Sequence, residues 1–384
     1  MLLKKGDFMI YLDNAATGGF KPNSVLETAI SAIKYLNANP GRSGHRLSKT
    51  GAGFIYSARK KLSEFFNNKS PERVIFTKNC SEGLNTAIYG LVTNNCHVIT
   101  SCFEHNSVLR PLHTLKENNQ IKLTIISPEN GSFITDKDVE KAITDSTTVV
   151  ILNHVSNVNG AVNDVKKIGD FLKDKNIYFI VDGAQSAGHV KIDMSEYNID
   201  VLSVAGHKGL YGIAGSGALL FRNNCDIKPT FQGGTGTESF NLTQPKCYPE
   251  TLEYGTLNLP AICSLEEGVR YIENTIEYLS VRLIEMSKFL IDKLKSIDKV
   301  KVYSKPNPAG IVAFSIAGIS SIEVSSILSD EYDIAVRGGF HCAPLMHKFL
   351  KTEEDGLVRA SICPHNTKRD LYYLYNSVKT ICSF

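Results

Sequence analysis

Asp200-Val201-Leu202-Ser203-Val204-Ala205-Gly206-His207-Lys208-Gly209-Leu210-Tyr211-Gly212 opens as an apolar run and closes as a polar, glycine-bearing turn. A short apolar run bounded in this way reads as a strand entering a core. A lysine just past a buried strand end is partly desolvated, which disfavours its ammonium form. An amine so tuned forms Schiff bases with carbonyl cofactors; a lone lysine in a turn is otherwise a surface residue. The segment upstream, Ile180-Val181-Asp182-Gly183-Ala184-Gln185-Ser186, is a second apolar strand with an acid at its end. A Schiff-base lysine with a carboxylate for a pyridinium nitrogen is what pyridoxal phosphate asks of a protein.

Working outward, strand patterns at 74–77, 97–101, 123–127, 148–153 and 178–182 alternate with helical patterns at 48–66, 107–116, 136–143 and 164–173. This β/α alternation predicts a mostly parallel sheet with helices on both faces. Ligands in such sheets sit outside the strand carboxyl ends. His105, Asn157, Asp182, Gln185 and Lys208 all fall just after predicted strand ends. At Lys78-Asn79-Cys80-Ser81-Glu82-Gly83 a strand passes into a helix, a junction that offers N–H groups to an anion, with Ser81 as the expected N-cap. Gly212-Ile213-Ala214-Gly215-Ser216-Gly217 precedes a strand rather than a helix, which rules out a dinucleotide fingerprint. The pattern at 260–297 predicts one or two helices leaving the first domain. Strands at 310–316, 334–337 and 357–360 and helices at 321–330 and from 367 onward then make a smaller α+β domain. The expected division is 20–258 for the large domain and 10–19 plus 259–384 for the small one.

The 384 residues are 42% hydrophobic and 21% charged, with a net charge of +3 that gives no argument for nucleic acid or a membrane surface. No apolar run reaches transmembrane length. The first eight residues lack the apolar core of a signal peptide, and Met9 is an alternative start. The nine cysteines are odd in number and show no C-x-x-C spacing, which argues against a disulfide framework or structural zinc and for a reducing cytoplasm. No metal site is expected.

Taken together, His154-Val155-Ser156-Asn157, Asp182-Gly183-Ala184-Gln185-Ser186, Gly206-His207-Lys208, Arg337-Gly338-Gly339-Phe340-His341-Cys342-Ala343 and Val358-Arg359-Ala360-Ser361 stand in an order and spacing that resemble the class V aminotransferases of pyridoxal-phosphate fold type I. Within them the chain is similar to the cysteine desulfurases of the Suf type. The resemblance implies an α/β fold: a large domain on a mostly parallel seven-stranded sheet and a smaller α+β C-terminal domain. It implies that Lys208 is the Schiff-base lysine, that Asp182 pairs with the pyridinium nitrogen, and that His105 stacks on the ring and moves protons. Asn157 and Gln185 match groups that hydrogen-bond the phenolic oxygen, and Ser81, Cys80 and His207 match the phosphate cradle. Thr256 matches a residue that reaches the partner subunit's phosphate, so a homodimer with a shared active site is implied. Arg359 matches the arginine for the substrate carboxylate, with Asn14, Ala15, His45 and Arg337 on the substrate side. Cys342, in a glycine-rich loop beside His341 and near Arg337, cationic or potentially cationic neighbours that favour a thiolate, matches the nucleophile that takes sulfur from L-cysteine as a persulfide, leaving L-alanine. The short stretch that follows it implies a sulfur-acceptor protein docking close by. Selenocysteine lyases and cysteine-sulfinate lyases share every cofactor residue, and class V aminotransferases and epimerases share the scaffold. The chain departs from the family pattern at Ala205, where a phosphate-binding hydroxyl is usual, at Phe340, in place of histidine, and at Gly338, in place of threonine.

Overall fold

The computed structural model describes residues 9–129 and 131–383. The reading of the first eight residues as free of a signal-peptide core lies outside the described residues. The strands, in chain order, are β1 (Ile10–Tyr11), β2 (Val74–Thr77), β3 (Cys96–Ser101), β4 (Ile121–Ile126), β5 (Thr147–Asn153), β6 (Tyr178–Asp182), β7 (Val201–Ala205), β8 (Gly217–Phe221), β9 (Val300–Val302), β10 (Ile311–Ile316), β11 (Ile334–Ala335) and β12 (Val358–Ser361). The backbone forms two compact units. The larger holds Lys21–His154 and Asn163–Ile276, and the smaller holds residues 9–20, Val155–Val162 and 277–383.

The larger unit is built on a seven-stranded sheet of order β2-β8-β7-β6-β5-β3-β4. Its five consecutive strands from β7 to β4 run parallel, and β8 lies antiparallel to both of its neighbours. Strands buried on both faces read as unbroken apolar runs, and β3, β6, β7 and β8 are buried almost throughout. Ser203 is the polar exception in β7, fully buried. Asn153 pairs with Asp182 and Asp182 with Ser203 in register, so the carboxyl ends of β5, β6 and β7 lie side by side. This edge carries the loops that begin at His154, Gly183 and Gly206. The parallel α/β architecture expected from the sequence is the one observed.

The smaller unit has a three-stranded antiparallel sheet, β12-β10-β9, and a parallel pair, β1-β11. Its core packs Leu12 and strand residues such as Val312, Phe314 and Val358 against apolar residues of helices Ile276–Leu294, Ser321–Tyr332 and Lys368–Ile381. One local reading needs correction, and one strand went unread. Helix Leu259–Ile272 does not leave the first domain: it packs on Asn23–Tyr35 and Arg46–Phe65 in the larger unit, because nearly all of its faces are apolar or small and ten of its residues are buried. The strand β9, whose three residues Val300-Lys301-Val302 alternate for one period only, was too short to be legible.

Candidate active site

In the larger unit, Asp182 ends β6 at 5% exposure, and its Oδ1 accepts the Ala184 N–H at 2.8 Å. Lys208 stands half-buried in the turn after β7. That turn is pinned by backbone packing. A Cβ on Gly206 would lie 2.3 Å from Ser216 Oγ, and one on Gly209 would lie 2.5 Å from the Ala187 carbonyl. Neither position admits a side chain, so the glycines on both sides of the lysine set where it can emerge. His207 is held near pH 4, mainly by burial and then by Lys208 and Lys21, so it is neutral at pH 7. Lys21, which the sequence reading passed over, donates from Nζ to the His207 carbonyl at 3.0 Å.

His105 caps helix Asn106–Glu117. Its Nδ1 accepts the Ser107 N–H at 3.0 Å and lies 2.8 Å from Ser107 Oγ. With Nδ1 accepting a backbone N–H, the ring proton is assigned to Nε2. Ser107 Oγ in turn meets Ser81 Oγ. Ser81 is therefore not the N-cap of helix Cys80–Leu91; Asn79 is, its side chain accepting the Glu82 N–H at 2.9 Å. The strand–loop–helix reading was right about the junction and two residues off about its cap, because Asn79 and Ser81 are both good capping types. The Cys80 side chain does not reach toward an anion at this helix end. It is buried, with Sγ 3.3 Å from Asp182 Oδ1 and from Ser203 Oγ. Gln185 is buried, and its carbonyl lies 3.0 Å from His189 Nδ1. Thr256 is exposed and lines a cleft of about 310 Å³ with Lys78, Glu82 and Tyr254. His45 is exposed and caps Arg46–Phe65 by accepting from the Ser48 N–H.

Glu104, next to His105 in sequence, is fully buried. Its Oε1 accepts from Ser101 Oγ at 2.6 Å and from the Asn153 N–H at 3.1 Å. Burial pushes its carboxyl up to about 8, against the pull of the Ser101 hydrogen bond. The unfolded chain loses this proton near the ordinary carboxyl value while the folded chain keeps it to about pH 8. The folded state thus holds more protons in that window, and its stability falls as pH rises through it. Glu104→Gln keeps the acceptor and removes the titration. It is expected to raise Tm by about 2–4 °C at pH 8 and hardly at all at pH 5, a difference that thermal melts at the two pH values check.

The smaller unit carries a second cluster. Arg359, in β12, is 1% exposed. Its Nη2 lies 2.8 Å from Asp13 Oδ1, its Nη1 donates to the Asn157 carbonyl at 2.9 Å, and its Nε is buried without a partner. Burial lowers its proton affinity and Asp13 opposes this. Asn157 also donates from Nδ2 to the His341 carbonyl at 2.7 Å. The Asn14 amide is committed to backbone, donating to the Ser361 carbonyl at 2.8 Å and accepting the Gly19 N–H at 3.0 Å. The Ala15 N–H donates to Ser361 Oγ at 2.9 Å. Both therefore fix the turn after β1 against β12 and so place Asp13 by Arg359. Asp13 is not among the residues singled out from the sequence.

Arg337 and Arg359 exchange backbone hydrogen bonds at 3.1 and 2.8 Å. Arg337 Nη2 lies 3.8 Å from Cys342 Sγ. Cys342 is half-buried, and both it and His341 sit at positive φ, 57° and 51°, a conformation non-glycine residues hold only where the surroundings enforce it. Those surroundings are visible. The Gly339 N–H donates to Ser321 Oγ at 3.0 Å, the Leu357 N–H donates to the Gly339 carbonyl at 3.1 Å, and His341 stacks on the buried His347 at 5.6 Å. The expectation that His341 adds positive charge beside Cys342 is corrected here. Burial, with Arg359 next, drives its imidazole down to about 2, so the cation facing the sulfur is Arg337. The change at Gly338 also has a steric reason, since a Cβ there would lie 2.3 Å from the Ser321 carbonyl. Gly338→Ala is expected to cost about 1–3 kcal/mol, measured by denaturant unfolding, and to slow alkylation of Cys342 by displacing its loop.

Among the described residues no cluster of His, Cys, Asp and Glu is placed to hold a metal ion, and no helix is long and apolar enough to cross a membrane. The residues of the larger unit fit pyridoxal phosphate in their chemistry. They offer a buried carboxylate for a ring nitrogen, an amine in a rigid turn, and a helix N-terminus for a phosphate. His154 Nδ1 and Ser186 Oγ lie buried beside the same strand ends with no partner, as expected where a polar ligand completes the hydrogen bonding.

Known proteins carry the same plan. The family model of class-V aminotransferases matches residues 10–374. A probable cysteine desulfurase of Pyrococcus abyssi is 32% identical over 98% of this chain and 92% of its own, and one of Methanothermobacter thermautotrophicus is 31% identical over 97% and 94%. The apo structure of a cysteine desulfurase from Thermococcus onnurineus superposes with a TM-score of 0.90 at 31% identity, covering 98% of this chain and 95% of that one. The chain belongs to the class-V aminotransferase family.

Proposed function

We infer that this chain is a pyridoxal-phosphate-dependent cysteine desulfurase, converting L-cysteine to L-alanine and carrying the sulfur as a persulfide on Cys342. The observation that carries the reading lies within the smaller unit. A buried arginine with an unanswered N–H, Arg359, exchanges backbone bonds with Arg337, whose side chain faces the Cys342 sulfur. A substrate with a carboxylate at one end and sulfur at the other suits that pairing.

When bound, the cofactor supplies an electron sink for the substrate's Cα. Asp182 carries negative charge for its ring nitrogen, and Lys208 provides the amine that anchors it and takes the Cα proton. His105, with its proton on Nε2, serves as a proton donor in the reaction. Asn157 and Gln185 serve the phenolic oxygen, while Ser81 and the N–H groups of its helix serve the phosphate. His207, being neutral, contributes there by hydrogen bonding rather than charge. Arg359 holds the substrate carboxylate, which fixes the orientation of the amino acid. The Cys342 sulfur then attacks the substrate sulfur as the C–S bond breaks, and the carbon left behind is protonated. L-Cysteine and a thiol give L-alanine and a persulfide, so no outside oxidant is needed. A homodimer, with Thr256 serving the partner's site, a sulfur-acceptor protein and a cytoplasmic setting complete the proposal.

The test is to supply pyridoxal phosphate and L-cysteine, quantify alanine, and map added sulfur by mass spectrometry. Alanine with one extra sulfur on Cys342 is expected. Alanine with no sulfur on the protein would assign a lyase, and no alanine would overturn the reaction class.

A further inference from the structure

Cys80 lies among the strand ends of the larger unit with no part in the chemistry above. Its surroundings are polar and specific. Sγ is 3.3 Å from Asp182 Oδ1 and 3.3 Å from Ser203 Oγ. Ser203 donates its own proton to the Cys80 carbonyl at 3.0 Å, so the serine turns lone pairs, not its proton, toward the sulfur. The thiol proton thus has two acceptors at equal distance, and the carboxylate is the stronger. Burial, followed by the Asp182 charge, raises the thiol well above the ordinary range. Sulfur therefore remains a donor rather than a second anion. The arrangement depends on a neighbour as well: a Cβ on Gly83 would lie 2.4 Å from Ser203 Oγ, so only glycine there leaves room for the hydroxyl.

We propose that Cys80 is a positioning residue for Asp182. Its S–H and the Ala184 N–H meet the same oxygen, Oδ1, from two directions and fix the plane in which the carboxylate faces a pyridinium nitrogen. The proposal rests on the cofactor reading above.

The test compares binding of pyridoxal phosphate with that of its 1-deaza analogue, which lacks the ring nitrogen, to the full-length apoprotein by calorimetry. The ratio of the two dissociation constants reports the Asp182 contact alone. Cys80→Ala is expected to lower that ratio about fivefold, the worth of one ordinary hydrogen bond, since a thiol is a weak donor. Cys80→Ser, which restores a donor, is expected to return it to within about twofold of the parent. Cys80→Val, apolar and of similar volume, stands in if the alanine variant does not fold. A merely structural role would weaken both ligands equally, and an unchanged ratio in Cys80→Ala or Cys80→Val overturns the proposal. A parent protein that binds both ligands alike, or neither, overturns the cofactor reading and the proposal with it, and is recognised before any variant is made.

Discussion

Cys342→Ser is expected to abolish persulfide on the protein and to lower alanine formation from L-cysteine on the order of 10³-fold, because a hydroxyl at neutral pH is a weak nucleophile without a paired base. The visible absorbance of bound pyridoxal phosphate should be unchanged, since the groups that fit it, Asp182 and Lys208, stand on β6 and after β7. The structure makes the substitution unusually clean. Cys342 is half-buried at a φ of 57°, a conformation imposed by Ser321 and Leu357 through Gly339 and not by the sulfur itself. Serine keeps the backbone and the approximate volume and loses the sulfur's nucleophilicity. Alkylation with iodoacetamide gives a second measurement. Cys342 should be labelled first, while Cys80, Cys225 and Cys263, whose thiols burial holds well above their ordinary value, should be labelled only on unfolding. Alanine formation that persists in the serine variant would remove the protein nucleophile from the mechanism.

What the chain discloses before folding follows from the range of the interactions involved. The parallel sheet was legible because buried strands such as Thr147–Asn153 are long apolar runs closed by polar residues, and Asp182 and Lys208 stood out as polar groups directly behind such runs. Cys342, Arg359 and His105 were legible through resemblance. The partners of these residues were not. Asp13 and Arg359 form an ion pair across most of the chain length, and no local pattern announces it. Ser203 was a visible signal in retrospect, a hydroxyl in the middle of an apolar strand, yet its partner Cys80 is distant in sequence. His341 shows the opposite failure. Its identity suggested a cation, and only its burial, with Arg359 nearby, makes it neutral. Charge state belongs to the folded environment rather than to the residue type.

Arg359→Lys should separate substrate recognition from the fold. The native guanidinium gives Nη2 to Asp13 and Nη1 to the Asn157 carbonyl, and leaves Nε buried without a partner. An unpaired buried donor is costly, and a substrate carboxylate that accepts from Nε and from a remaining Nη hydrogen meets it as a planar fork. Lysine retains the positive charge for Asp13 but has neither the fork nor the reach to serve three acceptors at once. The expected loss is about 100-fold in kcat/KM for L-cysteine, in the range of one to two charged hydrogen bonds, with the affinity for pyridoxal phosphate unchanged. Cysteamine, which is L-cysteine without its carboxylate, should react poorly with the parent and no worse with the variant, so that discrimination between the two amines collapses. Arg359→Leu would instead strand the partly buried Asp13 charge and confound recognition with instability; adding Asp13→Asn to it should recover stability without recovering discrimination. Equal kcat/KM values for parent and Arg359→Lys would show that the carboxylate is held elsewhere, and the buried Nε would then be a feature of the fold alone.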